Sequence, residues 1–223
     1  IQNRLRLEEL PAHIECFDNS NIQGSDAVAA CVVFKMAKPS KKDYRKYIIK
    51  TVEGPDDYAS MREVVFRRYR RMIDEGEKLP NLIVADGGIG QMEIIRQVIE
   101  DELKLKIPIA GLAKDSKHKT REILFGFPPM VIGLDPSDQL LKFFANMQDE
   151  VHRFAIKFHR EKRSKSQIKS ELDIKGIGPK TKEILLKKFK SVKRIKELTI
   201  EEMADEIGIS KANIVYKHFN NEI

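Results

Sequence analysis

Two periods of apolar residues run along this chain, and the changes between them mark its elements. His13-Ile14-Glu15-Cys16-Phe17-Asp18 alternates, which puts Ile14, Cys16 and Asp18 on one face of a strand. Ala27 to Met36 is nearly continuous in apolar side chains, the mark of a central strand buried on both faces. Asp43 to Val52 makes a third strand, after turns at Gly24-Ser25 and around Pro39. Strands this closely spaced predict an antiparallel meander. The period then lengthens. Asp56 or Asp57 caps a helix carrying Met61, Val64, Val65, Arg68 and Tyr69. Leu82 to Ala85 is a fourth, short strand that runs straight into Asp86, and Met92, Ile95, Val98, Ile99 and Leu103 follow at helical spacing. Ile109 to Lys114 is a fifth strand, and Lys119 to Phe127 reads as a hairpin with Pro128-Pro129 at its edge. After Asp135-Pro136-Ser137 a long helix is predicted to about Arg163, with Leu140, Phe144, Met147, Val151, Phe154 and Phe158 as its sheet-facing stripe.

The first 163 residues are therefore expected to form an α/β domain, a mixed five-stranded sheet with helices on both faces. That order of elements is the ribonuclease H order, although shared order by itself carries no function. Residues 164–172 are Ser/Lys-rich with little apolar content, a linker or a frayed helix end. Residues 173–223 read as a small all-α domain of two helical hairpins. In the first, Gly176-Ile177-Gly178-Pro179 turns between helices, with Pro179 suited to a first helical turn. In the second, Ile207-Gly208-Ile209-Ser210 repeats the pattern without the second glycine. One such hairpin buries too little alone, so two are expected to pack as a pair.

Charge changes the picture of this C-terminal part. The net charge is +7, but Arg153 to Lys196 holds 16 Lys/Arg against four acids, leaving the remainder near −5. A basic segment beside a mildly acidic body points to a polyanion partner. The backbone amides at Gly176, Ile177 and Gly178, a helix amino terminus, Lys180 and Lys182 suit a sequence-blind phosphate clamp, with Gly208 as its weaker counterpart. No apolar run approaches the roughly 18 residues a membrane span needs, and no signal peptide precedes Ile1. The start at Ile-Gln-Asn-Arg reads as a piece of a longer protein. Cys16 and Cys31, both in strand-like runs, are expected to be buried reduced thiols of a cytoplasmic protein.

The candidate chemistry sits at strand ends. In a sheet of this order the strands of Asp18 and Asp86 are neighbours, so their carboxylates can meet. Such a pair repels unless a cation holds it, and Mg²⁺ or Mn²⁺ suits hard oxygen ligands. His152 flanks the apolar stripe of the long helix, with Gln148 one turn before it and His159 two turns after. It can ligate Mn²⁺ or move a proton. Lys114, ending the neighbouring strand, can hold a scissile phosphate. Together these residues suit metal-assisted phosphodiester hydrolysis.

Six motifs in order carry a resemblance across essentially the whole chain. They are Glu15-Cys16-Phe17-Asp18, Tyr44-Arg45-Lys46-Tyr47, Asp56-Asp57-Tyr58, Ala85 to Gln91, Gly111-Leu112-Ala113-Lys114, and Asp149 to Ala155. With the tandem helix-hairpin-helix after them, they resemble the C-terminal half of the UvrC family, the nuclease subunit of bacterial nucleotide excision repair. The resemblance implies a ribonuclease H-like endonuclease that makes the incision 5′ of a DNA lesion. It implies a catalytic triad at Asp18, Asp86 and His152, a further functional acid at Asp57, and Mg²⁺ or Mn²⁺. It also implies tandem hairpins on lesion-bearing double-stranded DNA, and a UvrB–DNA complex engaged through upstream parts outside this chain. Two departures bear on the site: Asn19-Ser20-Asn21 stands where the family commonly has Ile-Ser-His, and Gln148 where an Arg usually precedes the Asp-Glu.

Two other readings compete. One is a DNA-binding scaffold with an inactive ribonuclease H-like domain. The other is a nucleotide-binding enzyme using Gly87-Gly88-Ile89-Gly90 for phosphate, disfavoured by the upstream meander and by the lack of Walker or dinucleotide spacing.

Overall fold

The computed structural model describes residues 1–20, 27–52, 54–114 and 120–220. The turn expected at Gly24-Ser25, and Lys119 at the start of the expected hairpin, lie outside these. A one-turn helix α1 (Gln2–Leu5) leads in and contributes buried Leu5 to the core. Next come β1 (His13–Ser20), β2 (Val28–Lys35), the two-residue β3 (Lys38–Pro39) and β4 (Arg45–Ile48). Helix α2 (Asp57–Asp74) and β5 (Leu82–Ala85) follow, then α3 (Ile89–Arg96), which widens into a π turn over Gln97–Glu102. β6 (Ile109–Lys114), β7 (Thr120–Phe125), β8 (Met130–Ile132) and the 33-residue α4 (Gln139–Glu171) come next.

The strands form one sheet in the order β3-β2-β1-β5-β6-β7-β8, with β4 also on the outer edge of β2. β1 is antiparallel to β2 and parallel to β5, and β5 is parallel to β6. Of the five strands read from the sequence, β2, β1, β5 and β6 make up its centre and β4 lies at its edge. The sheet reaches eight through the two-residue β3 beside β2 and because β7 and β8 do not form a separate hairpin: β7 pairs antiparallel along the open edge of β6, and β8 pairs along β7. β4 is shorter than the predicted Asp43–Val52 strand, for a visible reason. The buried Glu63 carboxylate on α2 accepts from the backbone N–H groups of Lys50 (3.0 Å) and Thr51 (2.9 Å), which draws the chain off the sheet.

Alternation along β1 sorts the layers. Glu15 and Phe17 reach α2, where Phe17 meets Tyr69 edge-on at 6.0 Å, while Asp18 reaches α4 on the other face. Glu15 is fully buried and accepts from Arg68 Nη2 (2.6 Å) and Nε (3.2 Å) and from the Tyr69 hydroxyl (3.1 Å), with His13 Nε2 at 3.1 Å. Burial alone would raise its pKa, but the His13 and Arg68 hydrogen bonds and the Arg68 charge outweigh that and hold it at about 2. Cys16 and Cys31 are both buried, and burial pushes the Cys31 thiol well above the ordinary thiol range.

The buried stripe of α4 drifts from the predicted one. Phe144, Met147 and Val151 face the core as read, but the stripe then passes to Ala155 and His159. Phe154 and Phe158 are only half-buried: Phe154 meets Tyr44 edge-on at 5.1 Å, and Lys46 Nζ sits over both rings. A 3.6-residue period rotates slowly against an alternating four-three spacing, and over five turns the difference moves the face.

The chain divides into two compact units, Ile1–His159 and Arg160–Ile223. Residues 164–171 are helical, as the C-terminal part of α4, in keeping with their Lys, Gln and Glu content. The second unit adds α5 (Pro179–Phe189), α6 (Val192–Lys196), α7 (Ile200–Ile207) and α8 (Ile209–Asn220). Leu172, Ile177, Leu185, Ile195, Met203 and Val215 are among the residues of its own core. Among the described residues, no helix is long and apolar enough to cross a membrane.

Candidate metal centre

Asp18 and Asp86 are brought together by one strand pairing. In the parallel register Phe17 lies opposite Ala85, and the Asp86 N–H donates to the Phe17 carbonyl at 2.9 Å. The next residue of each therefore stands at the same level, Asp18 still within β1 and Asp86 just past the end of β5. Asp18 is 7% exposed and Asp86 5%. From above, α4 lowers two side chains one turn apart. His152 Nδ1 stands 3.4 Å from Asp18 Oδ2, and the Gln148 amide donates to Asp86 Oδ1. One ligand atom from each of Asp18, Asp86 and His152 lies within 4.8 Å of the others. The His152 side chain is 59% exposed, so the carboxylates form a floor and the imidazole a rim open to solvent. Two acids and an imidazole are a donor set that fits a hard divalent cation such as Mg²⁺ or Mn²⁺.

The loop after Asp86 is built by close approach. A Cβ on Gly87 would lie 2.3 Å from Gln91 Oε1, and one on Gly111 would meet Met92 Sδ at 2.5 Å and the Gly87 carbonyl at 2.9 Å. A Cβ on Gly90 would strike the Tyr58 ring. Gly88 alone of Gly87, Gly88 and Gly90 has open space, and it is the N-cap of α3. Gly87 in the loop and Gly90 in the first turn of α3 thus make room for the chain's own side chains, and Gly88 faces outward.

Asp56, not Asp57, caps α2, accepting from Tyr58 N and Ala59 N. Asp57 is the first helical residue, exposed and outside the three-residue group, but its carbonyl accepts from Asn19 Nδ2 at 2.8 Å. Asn19 follows Asp18, so the start of α2 is tied to the strand that carries the site. Lys114 is the last residue of β6, and its side chain is outside the described residues.

In the second unit, Gly176 has φ +93°, and Gly178 is the N-cap of α5 with no side-chain cap, which leaves Pro179 at the first helical turn. Lys180 is exposed, and Lys182 pairs with Asp173 at 2.8 Å. Ile177 is packed in the core of this unit, and its N–H donates to the Ile174 carbonyl at 3.0 Å, so that amide is engaged within the turn. Gly208, at φ +82°, is the single residue between α7 and α8, and its N–H donates to the Ala204 carbonyl at 2.9 Å.

The sequence reading placed Gln148 on the flank of α4 without giving it a partner. Its spacing of one turn from His152 was the available signal, and the bond to Asp86 is what that spacing produces. Asn19 gave a signal only as a departure from the family pattern. Glu15 with Arg68 gave none, because a lone acid within an apolar strand does not name its partner.

The UvrC RNAse H endonuclease domain family matches residues 2–156. A UvrABC system protein C of Bacteroides thetaiotaomicron is 68% identical over 223 residues, covering 100% of this chain and 37% of that protein. The Porphyromonas gingivalis protein of the same name is 56% identical over 220 residues, covering 97% and 36%. The chain therefore spans little more than a third of the curated relatives it matches. Among solved structures, human endonuclease V aligns at 12% identity and a TM-score of 0.39, over 70% of this chain and 86% of that one. With the family match covering most of the chain and the relatives covering all of it, the chain belongs to the UvrC RNAse H endonuclease domain family.

Proposed function

We propose that this chain is the divalent-metal-dependent endonuclease module that makes the 5′ incision beside a lesion in bacterial nucleotide excision repair. In this reading its substrate is lesion-bearing double-stranded DNA, and it acts with a UvrB–DNA complex that parts outside this chain engage. The observation that carries the reading is the meeting of Asp18, Asp86 and His152 within 4.8 Å on a half-open floor. Asp18 and Asp86 would hold Mg²⁺ or Mn²⁺. Bound there, the ion lowers the pKa of a water and stabilises charge on the phosphoryl oxygens.

The chain's own residues do the rest. Gln148 orients the Asp86 carboxylate through Oδ1. The exposed His152 imidazole completes the donor set or delivers a proton to the leaving oxygen as the P–O bond breaks. Lys114, at the end of β6, is the candidate to hold the scissile phosphate, and Asp57 is a further acid beside the site. Residues 173–223 hold the duplex through phosphates, with Gly176, Gly178, Lys180 and Lys182 as the principal hairpin and Gly208 in the looser one.

Asp18→Ala and Asp86→Ala separate this from a DNA-binding scaffold. Each is expected to abolish Mn²⁺-dependent cleavage of DNA while leaving DNA affinity nearly intact. Cleavage that survives either substitution refutes the assignment.

A further inference from the structure

Tyr58 is the second residue of α2, and the residue is 53% exposed although it is a large aromatic. The core does not need it, since Met61, Val64, Val65 and Tyr69 supply the buried face of α2. Its ring nevertheless rests against backbone: a Cβ on Gly90 would lie 2.5 Å from the Tyr58 hydroxyl oxygen and 2.9 Å from Cε1 and Cζ. Gly90 lies in the first turn of α3, just after the Gly87-Gly88 turn that follows Asp86. The helix start that carries Tyr58 is fixed by the Asp56 cap, at 3.0 and 2.9 Å, and by the Asn19 amide on the Asp57 carbonyl, at 2.8 Å. Tyr58 is thus held between the segments that present Asp18 and Asp86, while about half of the residue stays in solvent. Ile89, the first residue of α3, is 56% exposed. A fixed, exposed aromatic beside a phosphodiester centre is the arrangement that takes a nucleobase π-face.

We propose that the Tyr58 ring, braced on Gly90, is a stacking platform for a nucleobase of the strand being cut. This rests on the nuclease reading above. A base inside an intact duplex already has both faces stacked, so the platform accepts only a base that has left the stack. It therefore favours DNA that is unpaired or distorted beside the scissile phosphate, which is a source of substrate selectivity on the nuclease unit itself.

The test uses the whole chain carrying Asp18→Asn, with duplexes that differ only by a short mismatched segment and with 2-aminopurine walked along one strand. Stacking on a tyrosine quenches 2-aminopurine. Tyr58→Phe is expected to keep both quenching and affinity. Tyr58→Leu is expected to lose the quenching at one register and to bind mismatched DNA about five- to 150-fold more weakly, with little change on paired DNA. Unchanged Mn²⁺ affinity of Tyr58→Leu made in the chain that keeps Asp18 shows that the substitution leaves the site intact. Equal binding and quenching by Tyr58→Leu and Tyr58→Phe overturns the platform and leaves metal-dependent cleavage standing. Cleavage that survives Asp18→Asn overturns the nuclease assignment, whatever the Tyr58 variants do.

Discussion

Replacing Glu15 by Ala tests how the strand beneath the site is anchored. Glu15 is three residues before Asp18, on the opposite face of β1, and its carboxylate is fully buried against the Arg68 guanidinium, also buried. Glu15→Ala leaves that guanidinium in the core without its counter-charge, which costs about 3–5 kcal/mol. An independent route gives a similar figure. The fall of the Glu15 pKa from 4.5 to about 2 corresponds to ~3 kcal/mol of preferential stabilisation of the ionised form. A loss of that size opens β1 more often, so amide exchange at Cys16, Phe17 and Asp18 should quicken by about two orders of magnitude at neutral pH. Hydrogen exchange suits the measurement because it reads this unit alone, whereas denaturation of a two-unit chain need not be two-state. The double substitution Glu15→Leu with Arg68→Met removes both charges and should restore most of the protection. Exchange in Glu15→Ala within about fivefold of the parent chain would refute the anchoring argument.

Other expectations follow from the same contacts. Because the folded Glu15 pKa is depressed, its contribution is complete above pH about 4.5 and is lost as pH falls toward 2. The exchange difference between the parent chain and Glu15→Gln should therefore be level from pH 7 to 5 and shrink below pH 4; a difference that grows on acidification contradicts the sign. Gln148→Ala should weaken Mn²⁺ binding by about 10- to 100-fold, measured by titration calorimetry without DNA, since an outer partner orients the Asp86 carboxylate. Gly111→Ala should destabilise the first unit by about 1–3 kcal/mol, read from thermal melting, because the added carbon meets backbone and Met92. Lys180→Ala should weaken DNA binding without regard to sequence and lower the salt slope by about one phosphate contact.

The centre of the sheet and the meeting of Asp18 with Asp86 were legible in the sequence for physical reasons. Alternation fixes which side of β1 an aspartate faces, and the strand-order argument makes β1 and β5 neighbours. Features that depend on a partner distant in sequence were not legible. Nothing in Thr120 to Phe125 says that it will pair with β6 instead of standing as its own hairpin. Nothing in Lys50-Thr51 announces that Glu63 will take their amides and end β4 early. The stripe of α4 was right for as long as a repeated four-three spacing tracks a real helix, and it missed Ala155 and His159 beyond that. Ile177 shows a further limit, because a motif read for its amides can spend one of them within its own turn.

The central claim is that Asp18 and Asp86 together hold a divalent ion. Crystals of the chain soaked in Mn²⁺ and measured at the manganese absorption edge test it directly. The account predicts an anomalous peak touching the Asp18 and Asp86 carboxylates, and its loss in Asp86→Asn. A Mn²⁺ peak that lies elsewhere on the chain, or that persists at full height in Asp86→Asn, would contradict it.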